Sequence, residues 1–512
     1  MIKTIAMYLP QFHEVEENNC WWGKGFTDWV TVKRAEPLFE GHRQPRVPLN
    51  GNYYDLLQYD AMANQAEMAK KYGISGFCFY HYWFKDGKRI LEKPAENLLA
   101  WTDIDMPFCF SWANETWART WSNIANSNAW TGEQFEDAEH DKRDDGILLK
   151  QSYGGKKEWK EHFDYLLPFF KDPRYLRYEN KPIFIIYKPC LMYCLDNMME
   201  YWKELALENG LPGLYIVVTR ADRNSWENVD ANIQMEFDYT DFEEREIEPD
   251  GLCCFEYNAA WEYILKKAYR NKEGGVFYGG FVDVDDTPRR GSKGVAMKNA
   301  SPQLFRKYYK KLADIAVARH SEYIFVNAWN EWGEGAYLEP DEVFRFGYLE
   351  AVRDVMEYVK TAEVTEEDLG REYLETESIA AVQADYYSRA LKFERYFKLM
   401  DRWVSTFERK EKIENYFADM QMKTIAIYGD GILGKHLNKC LSNSQVYVSY
   451  FIDRNSELFR SEDPKKYLKE HFPEAEAVVV TPIMEYKDIR RNLKQIYEVP
   501  IISLEEVIFE CW

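Results

Sequence analysis

Tyr323-Ile-Phe-Val-Asn-Ala328 runs directly into Trp329-Asn-Glu-Trp-Gly-Glu-Gly-Ala-Tyr-Leu-Glu-Pro-Asp341. The first six residues have the apolar, β-branched and aromatic character of a buried strand. The residues after them place Glu331 and Glu334, with Asn330, Trp329 and Trp332, on a turn at the strand's carboxyl end. Seven similar runs precede this one: Thr4–Leu9, Gly76–Tyr80, Phe108–Trp112, Ile183–Tyr187, Leu214–Thr219, Ile233–Phe237 and Val276–Val282. Helical patterns separate most of them. Asp60 is placed to cap a helix over Ala61–Tyr72 that stops at Gly73, and Asn197–Glu208 stops before Gly210. Ser301-Pro302 starts a helix to about Arg319. Eight strands alternating with helices predict an α/β chain built on a (β/α)8 TIM barrel over residues 1–356. Arg220–Asn232 shows no good helix.

Beyond the barrel the pattern changes. Residues 357–421 are charged and read as a helical connector. Its run Glu377–Lys412 serves either as a linker or as an element through which the chain forms a homo-oligomer. Residues 422–512 read as a small C-terminal Rossmann-like, nucleotide-binding-type domain. There Lys423-Thr-Ile-Ala-Ile-Tyr428 leads into Gly429-x-Gly431-x-x-Gly434 and a helix, and the next strand ends on Asp453. A tight glycine turn at a helix N-terminus is the context a dinucleotide fingerprint requires. Gly429, Gly431, Gly434 and Asp453 are therefore the candidate contacts for a nucleotide or nucleotide-sugar. The short domain makes only half of a full dinucleotide fold, so a scaffold or interaction role stays open.

Composition bounds the partners. The chain has 512 residues, 46% hydrophobic and 29% charged, which excludes intrinsic disorder. A formal charge of -21 argues against nucleic acid and anionic membranes. Aromatic residues make up 16%, which permits sugar stacking and equally permits a large aromatic core. Nine scattered cysteines lack disulfide or zinc spacing and suit a reducing compartment. No signal peptide or transmembrane run is legible at the N-terminus or beyond, so a cytoplasmic location is expected.

Two carboxylates three residues apart beside tryptophan suit acid–base work on a glycosidic bond, since an apolar wall raises one pKa and so defines an acid. Glu331 and Glu334 are the catalytic candidates. The other strand ends supply candidate substrate contacts. These are Tyr8, Gln11 and His13 after the first strand, with Trp29 beyond, and His81, Tyr82 and Trp83 after the second. Trp112, Asn114 and Glu115 follow the third, Tyr187 the fourth and Glu236 the sixth. Asp285 and Arg289 follow the seventh, and Asn330 and Trp332 the eighth. Asp283-Val-Asp285 and Asp103-Ile-Asp105 match a metal-holding signature of nucleotide-sugar transferases, but two matches among 86 acidic residues are near chance. No metal is expected, and the barrel chemistry needs no cofactor.

Trp22-x-x-Gly-Phe-Thr-Asp-Trp29, His42-x-Gln-Pro45, Tyr80-His-Tyr-Trp-Phe84, Trp112-Ala-Asn-Glu115, Asn330-Glu-Trp-x-Glu-Gly335 and Leu338-Glu-Pro-Asp341 together resemble the WbsX family. This is a group of bacterial polysaccharide-locus proteins labelled glycosyltransferases. That family is similar in turn to the endo-α-mannosidase and endo-α-mannanase glycoside hydrolases. The resemblance implies a barrel acting on an oligosaccharide or polysaccharide by a retaining route through a 1,2-anhydro sugar. Carried over, Glu331 is the base toward the sugar 2-hydroxyl and Glu334 the general acid, then base. The endo-acting enzymes have His where this chain has Gly333. Three readings follow: a retaining glycosidase or transglycosidase on an α-linked glycan, a nucleotide-sugar-dependent glycosyltransferase, and a non-catalytic glycan-binding barrel.

Overall fold

The computed structural model describes residues 2–118, 147–235, 246–247, 251–373, 380–409, 412–461 and 463–511. Two compact units are present. One comprises 1–191, 199–224 and 228–374; the other comprises 192–198, 225–227 and 375–512.

Among the described residues of the first unit, eight parallel strands close a barrel. They are β1 (Lys3–Tyr8), β2 (Ile74–His81), β3 (Phe108–Trp112), β4 (Lys181–Ile186), β5 (Tyr215–Val218), β6 (Ala231–Gln234), β7 (Val276–Phe281) and β8 (Tyr323–Asn327). Each pairs with its neighbours in chain order, and β8 returns to β1 with Ala6 opposite Val326. All eight lie where the apolar runs predict them, because strands covered on both faces read as continuous apolar segments. Helices α1 (Tyr59–Lys71), α2 (Lys93–Ala100), α3 (Lys156–Lys171), α4 (Leu195–Glu208), α5 (Tyr257–Arg270), α6 (Pro302–Ala318) and α7 (Gly347–Val359) follow seven of the strands. Between β5 and β6 there is only the short turn Arg223–Ser225, matching the missing helical pattern.

Helix ends are mostly set as the sequence implies. The Ser301 hydroxyl accepts from the Leu304 amide ahead of Pro302. Gly73, at φ +84°, follows α1 in the left-handed conformation that ends helices. Asp60 is a correction: α1 begins at Tyr59, so Asp60 lies inside the first turn and caps nothing. It still favours the helix through its charge near the amino end. One strand glycine has a packing reason. A Cβ on Gly280 would come within 2.3 Å of the Trp261 ring, which lies against β7.

After the helix α8 (Glu366–Tyr373), the second unit contains a long helix, α9 (Ala380–Glu408), then α10 (Ile413–Asp419). A four-stranded parallel sheet follows, built from β9 (Thr424–Tyr428), β10 (Tyr447–Ile452), β11 (Ala477–Val480) and β12 (Ile501–Ser503) in the order β10-β9-β11-β12. Leu399 and Trp403 of α9 pack with Ile413, Phe417, Ile425, Leu437 and Val507 into one core. Among the described residues no helix is long and apolar enough to cross a membrane.

Candidate active site

The loop after β8 is a tight hairpin. Asn330–Glu331 pairs antiparallel with Ala336–Tyr337, and Trp332–Glu334 forms the turn between them. Gly335 closes it at φ +67°. This geometry folds two acids three residues apart toward each other. Their carboxyl groups lie close enough to shift each other's titration, and the nearby Tyr80 hydroxyl donates to Asn327 Oδ1 at 3.3 Å. Glu331 is only 4% exposed. Glu334 keeps 41% of its side chain open, although protein atoms surround it on its other sides.

The electrostatics separate the two acids. Burial first, and then the neighbouring Glu334 charge, push Glu331 well above the usual carboxylate range. Burial is the largest single influence on Glu334 and opposes its charge, but the Arg289 guanidinium bonded to it, Glu331, Arg290 and Arg220 together outweigh that and hold it below the usual range. Of the two, Glu331 is therefore the acid that more readily keeps a proton. The carried-over roles put that proton on Glu334 instead. The two arrangements differ by one proton transfer between the acids.

Arg289 is itself fixed. Its Nε and Nη2 donate to the two oxygens of Asp28 at 3.2 and 3.1 Å. Asp28 is buried, opens the helix Asp28–Arg34, and also accepts from the Gly333 amide at 3.2 Å. A Cβ on Gly333 would lie 2.6 Å from the Asp28 Oδ2 and 2.8 Å from the Arg289 Nε. The glycine at this position is thus what lets the Asp28–Arg289 pair close under the turn. Sequence reasoning missed Asp28 as part of the centre, although its motif, Trp22 to Trp29, had been singled out.

Three tyrosines face the acids. Tyr80, Tyr82 and Tyr187 have their hydroxyls pushed up by burial first, with the charges of both Glu331 and Glu334 adding to it. Tyr187 accepts from Arg220 at 2.9 Å and meets Tyr80 edge-on at 5.9 Å. Glu115 pairs with Lys188 at 2.5 Å. Tyr80 belonged to a quoted motif but not to the expected contacts.

Several of the expected substrate contacts make hydrogen bonds within the protein. Asn330 accepts from the Leu9 amide at 2.8 Å and donates to its carbonyl at 3.0 Å, clamping β8 to the end of β1. Asn114 similarly ties itself to Lys188, at 2.8 Å to its amide. Tyr8 is buried and donates to Gln65 at 2.6 Å. Trp332 is buried, stacks on Tyr337 at 3.7 Å and donates to Glu339 at 2.7 Å. Trp112 donates to the Trp83 carbonyl at 3.1 Å, and Trp29 to the Tyr54 carbonyl at 2.8 Å. His81 bonds to His162 at 2.7 Å beneath Trp83, whose ring stacks on His162 at 4.3 Å. Asp285 is ringed by His42, Gln44 and Arg46 at 2.9, 2.7 and 3.2 Å.

The remainder differ. Gln11 is partly exposed, and its carbonyl accepts from the Asp28 amide at 3.2 Å. His13 is buried, and burial lowers it to about 4, so it stays neutral. Glu236 lies outside the described residues. Glu339 was not expected here as a titrating group; burial raises it to about 7 while Trp332, Tyr54 and Gln65 donate to it. A separate cavity of about 430 Å³, lined by Tyr178, Tyr215, Lys272, Arg319 and Glu366, opens at the opposite end of the strands. Its Arg319 is taken up by the carbonyls of Ala268, Tyr269 and Asn271 and by Glu366, so this cavity offers a structural clamp.

In the second unit, Gly429 follows β9 at φ +105°, and Gly434 packs so closely that a Cβ would sit 2.1 Å from the Gly429 carbonyl oxygen. Gly431 caps the following helix, Ile432–Leu441, and a Cβ there would meet open space. Asp453 accepts from the Asn455 amide at 2.7 Å at the end of β10. Packing explains two of the three glycines. It leaves Gly431 unexplained.

A family model described as Glycosyltransferase WbsX matches residues 4–352. The uncharacterized protein WxcX of Xanthomonas campestris pv. campestris (strain B100) is 32% identical over 364 residues, covering 69% of this chain and 49% of that protein. The chain thus spans about half the length of the curated relatives it matches. Among solved structures, the GH99 endo-alpha-mannosidase from Bacteroides thetaiotaomicron is 15% identical with a TM-score of 0.42, covering 71% of this chain and 100% of its own. A glycoside hydrolase-like protein is 14% identical with a TM-score of 0.43, covering 69% of this chain and 94% of its own. The family match spans the whole barrel and its carboxylate loop, and with it the chain belongs to the WbsX family.

Proposed function

We propose that the barrel is a carbohydrate-active enzyme that cleaves or transfers glycosyl units of an α-linked bacterial glycan. Glu331 and Glu334 carry a retaining, 1,2-anhydro-sugar type reaction. The observation that supports this most is a tight turn carrying two acids, one buried and one open, with Arg289 bonded to the open one, an arrangement that drives their pKa values apart. Pairs so separated are the mark of acid–base assignment.

Passing a proton from Glu331 to Glu334 produces the working state. Deep-lying Glu331 then takes the proton of the sugar 2-hydroxyl, whose oxygen attacks the anomeric carbon and closes the three-membered ring. Glu334, on the open side, gives its proton to the leaving oxygen. It then takes the proton of the water or acceptor hydroxyl that attacks the anomeric carbon, while Glu331 returns its proton to the 2-oxygen as the ring opens. Tyr80, Tyr82 and Tyr187 supply the apolar, hydrogen-bonding wall for the sugar. This needs no cofactor in the barrel.

A second reading is a nucleotide-sugar-dependent glycosyltransferase. The Rossmann-like arrangement of the C-terminal unit favours it, with open space before Gly431 for a phosphate. The two are separated by replacing Glu334 with Gln. Release from α-mannoside and α-rhamnoside glycans is assayed beside transfer from nucleotide sugars. Hydrolysis or transglycosylation present in the parent and lost in the variant supports the first reading. Nucleotide-sugar turnover that the substitution leaves untouched overturns it.

A further inference from the structure

Helix α9 carries two apolar faces, and only one is used within its unit. Leu399 and Trp403 enter the core of the unit. On the same side Arg395 pairs with Glu505 and Arg402 donates to the Cys511 carbonyl at 2.9 Å. The other face presents Phe393, Phe397, Met400, Val404 and Phe407, which are 73, 61, 40, 52 and 61% exposed. Their spacing is 4-3-4-3, the period of a coiled-coil seam and of no ordinary solvated helix face. Water-exposed phenylalanine repeated at that period is costly without a partner.

We propose that this stripe is a homodimer seam in which α9 of a second copy of the chain lies parallel to the first. The period selects a helix as the occupant, since knobs spaced this way fit the holes of another helix carrying the same repeat. Charge selects the orientation. Asp401 and Glu408 flank the seam on its outer edge, in heptad positions that face their own counterparts in an antiparallel pair. In a parallel pair they face the positions of Tyr396 and Trp403, which are uncharged. The area suffices: five such side chains withdraw ~500 Å² per copy, or roughly 1,000 Å² in all, the size at which specific interfaces begin.

The test uses the full chain in solution. Sedimentation equilibrium of the parent gives the mass of two copies. Phe397→Glu combined with Val404→Glu gives the mass of one, with unchanged circular dichroism because neither side chain supports the unit's own core. A parent that sediments as one copy overturns the proposal, as does a double variant that still dimerises. Orientation is read with Val404→Cys under mild oxidation. A covalent dimer above the parent's background supports parallel pairing, whereas a dimer that fails to cross-link there overturns it.

Discussion

Two pairs of acids stand at neighbouring strand ends, each with one member raised and one lowered, and they differ in how cations are shared between the members. Asp283 and Asp285 follow β7; Glu331 and Glu334 follow β8. Burial alone would raise all four. Asp285 is nevertheless held below the usual range by His42, Arg46 and Thr287, and Arg46 lies 3.0 Å from Asp283 as well. Burial still leaves Asp283 raised, but Arg46 pairs with both aspartates, and the cluster joins the His42–Arg46 segment to the β7 loop. Glu331 has no cation bonded to it. Its partner Glu334 takes Arg289, and Glu331 more readily keeps a proton. The difference lies in how many donors each acid has, a property invisible in an acidic motif itself.

The comparison breaks most sharply at Glu331. Glu331→Gln keeps the size and polarity of the side chain but removes the titrating group, so glycan turnover is expected to fall by ~10³-fold or more. The fold should be intact, as judged by thermal melting. A variant retaining a tenth of the parent rate would place the chemistry elsewhere. The reverse pattern is expected across the other pair. Arg46→Met leaves two buried aspartates without their shared cation, and breaking such a pair costs about 3–5 kcal/mol of stability. Chemical denaturation measures this; a loss below about 1 kcal/mol would show that the cluster is not what holds that segment.

A smaller effect probes the link between Gly333 and the centre. Gly333→Ala drives a methyl into Asp28 and Arg289. Overpacking of this kind costs ~1–3 kcal/mol. Here it should appear chiefly as a roughly 10- to 100-fold loss in kcat, because the displaced Arg289 no longer fixes the charge of Glu334. A loss confined to KM would instead assign Gly333 to substrate fit.

The fold was legible because the barrel strands are buried on both faces and read as unbroken apolar runs. The turn after β5 was legible for the opposite reason, since nothing in Arg220–Asn232 has helical period. At the site, Glu331 and Glu334 could be picked out from their position after the last strand. The roles of Asn330, Asn114, Tyr8 and Trp332 could not. A polar or aromatic residue at a strand end reads the same whether it points at a ligand or clamps the neighbouring strand, and only the position of its partner decides. Asn330 clamps Leu9, a residue more than three hundred positions away. Asp28 was hidden for the same reason: its partners Arg289 and Gly333 come from two other loops. The aromatic surplus splits likewise, with Trp112 and Trp332 packed inside while Tyr80, Tyr82 and Tyr187 face the acids.

The most direct measurement is a carbon-13 NMR titration of the two carboxyl groups in glutamate-labelled protein, assigned with Glu331→Gln and Glu334→Gln. Unequal proton affinities predict that one resonance, from Glu331, titrates well above the ordinary glutamate value of about 4.3. The other, from Glu334, should titrate below it, and removing either acid should shift the survivor. Two independent titrations near the ordinary value, unmoved by loss of the partner, would contradict the account.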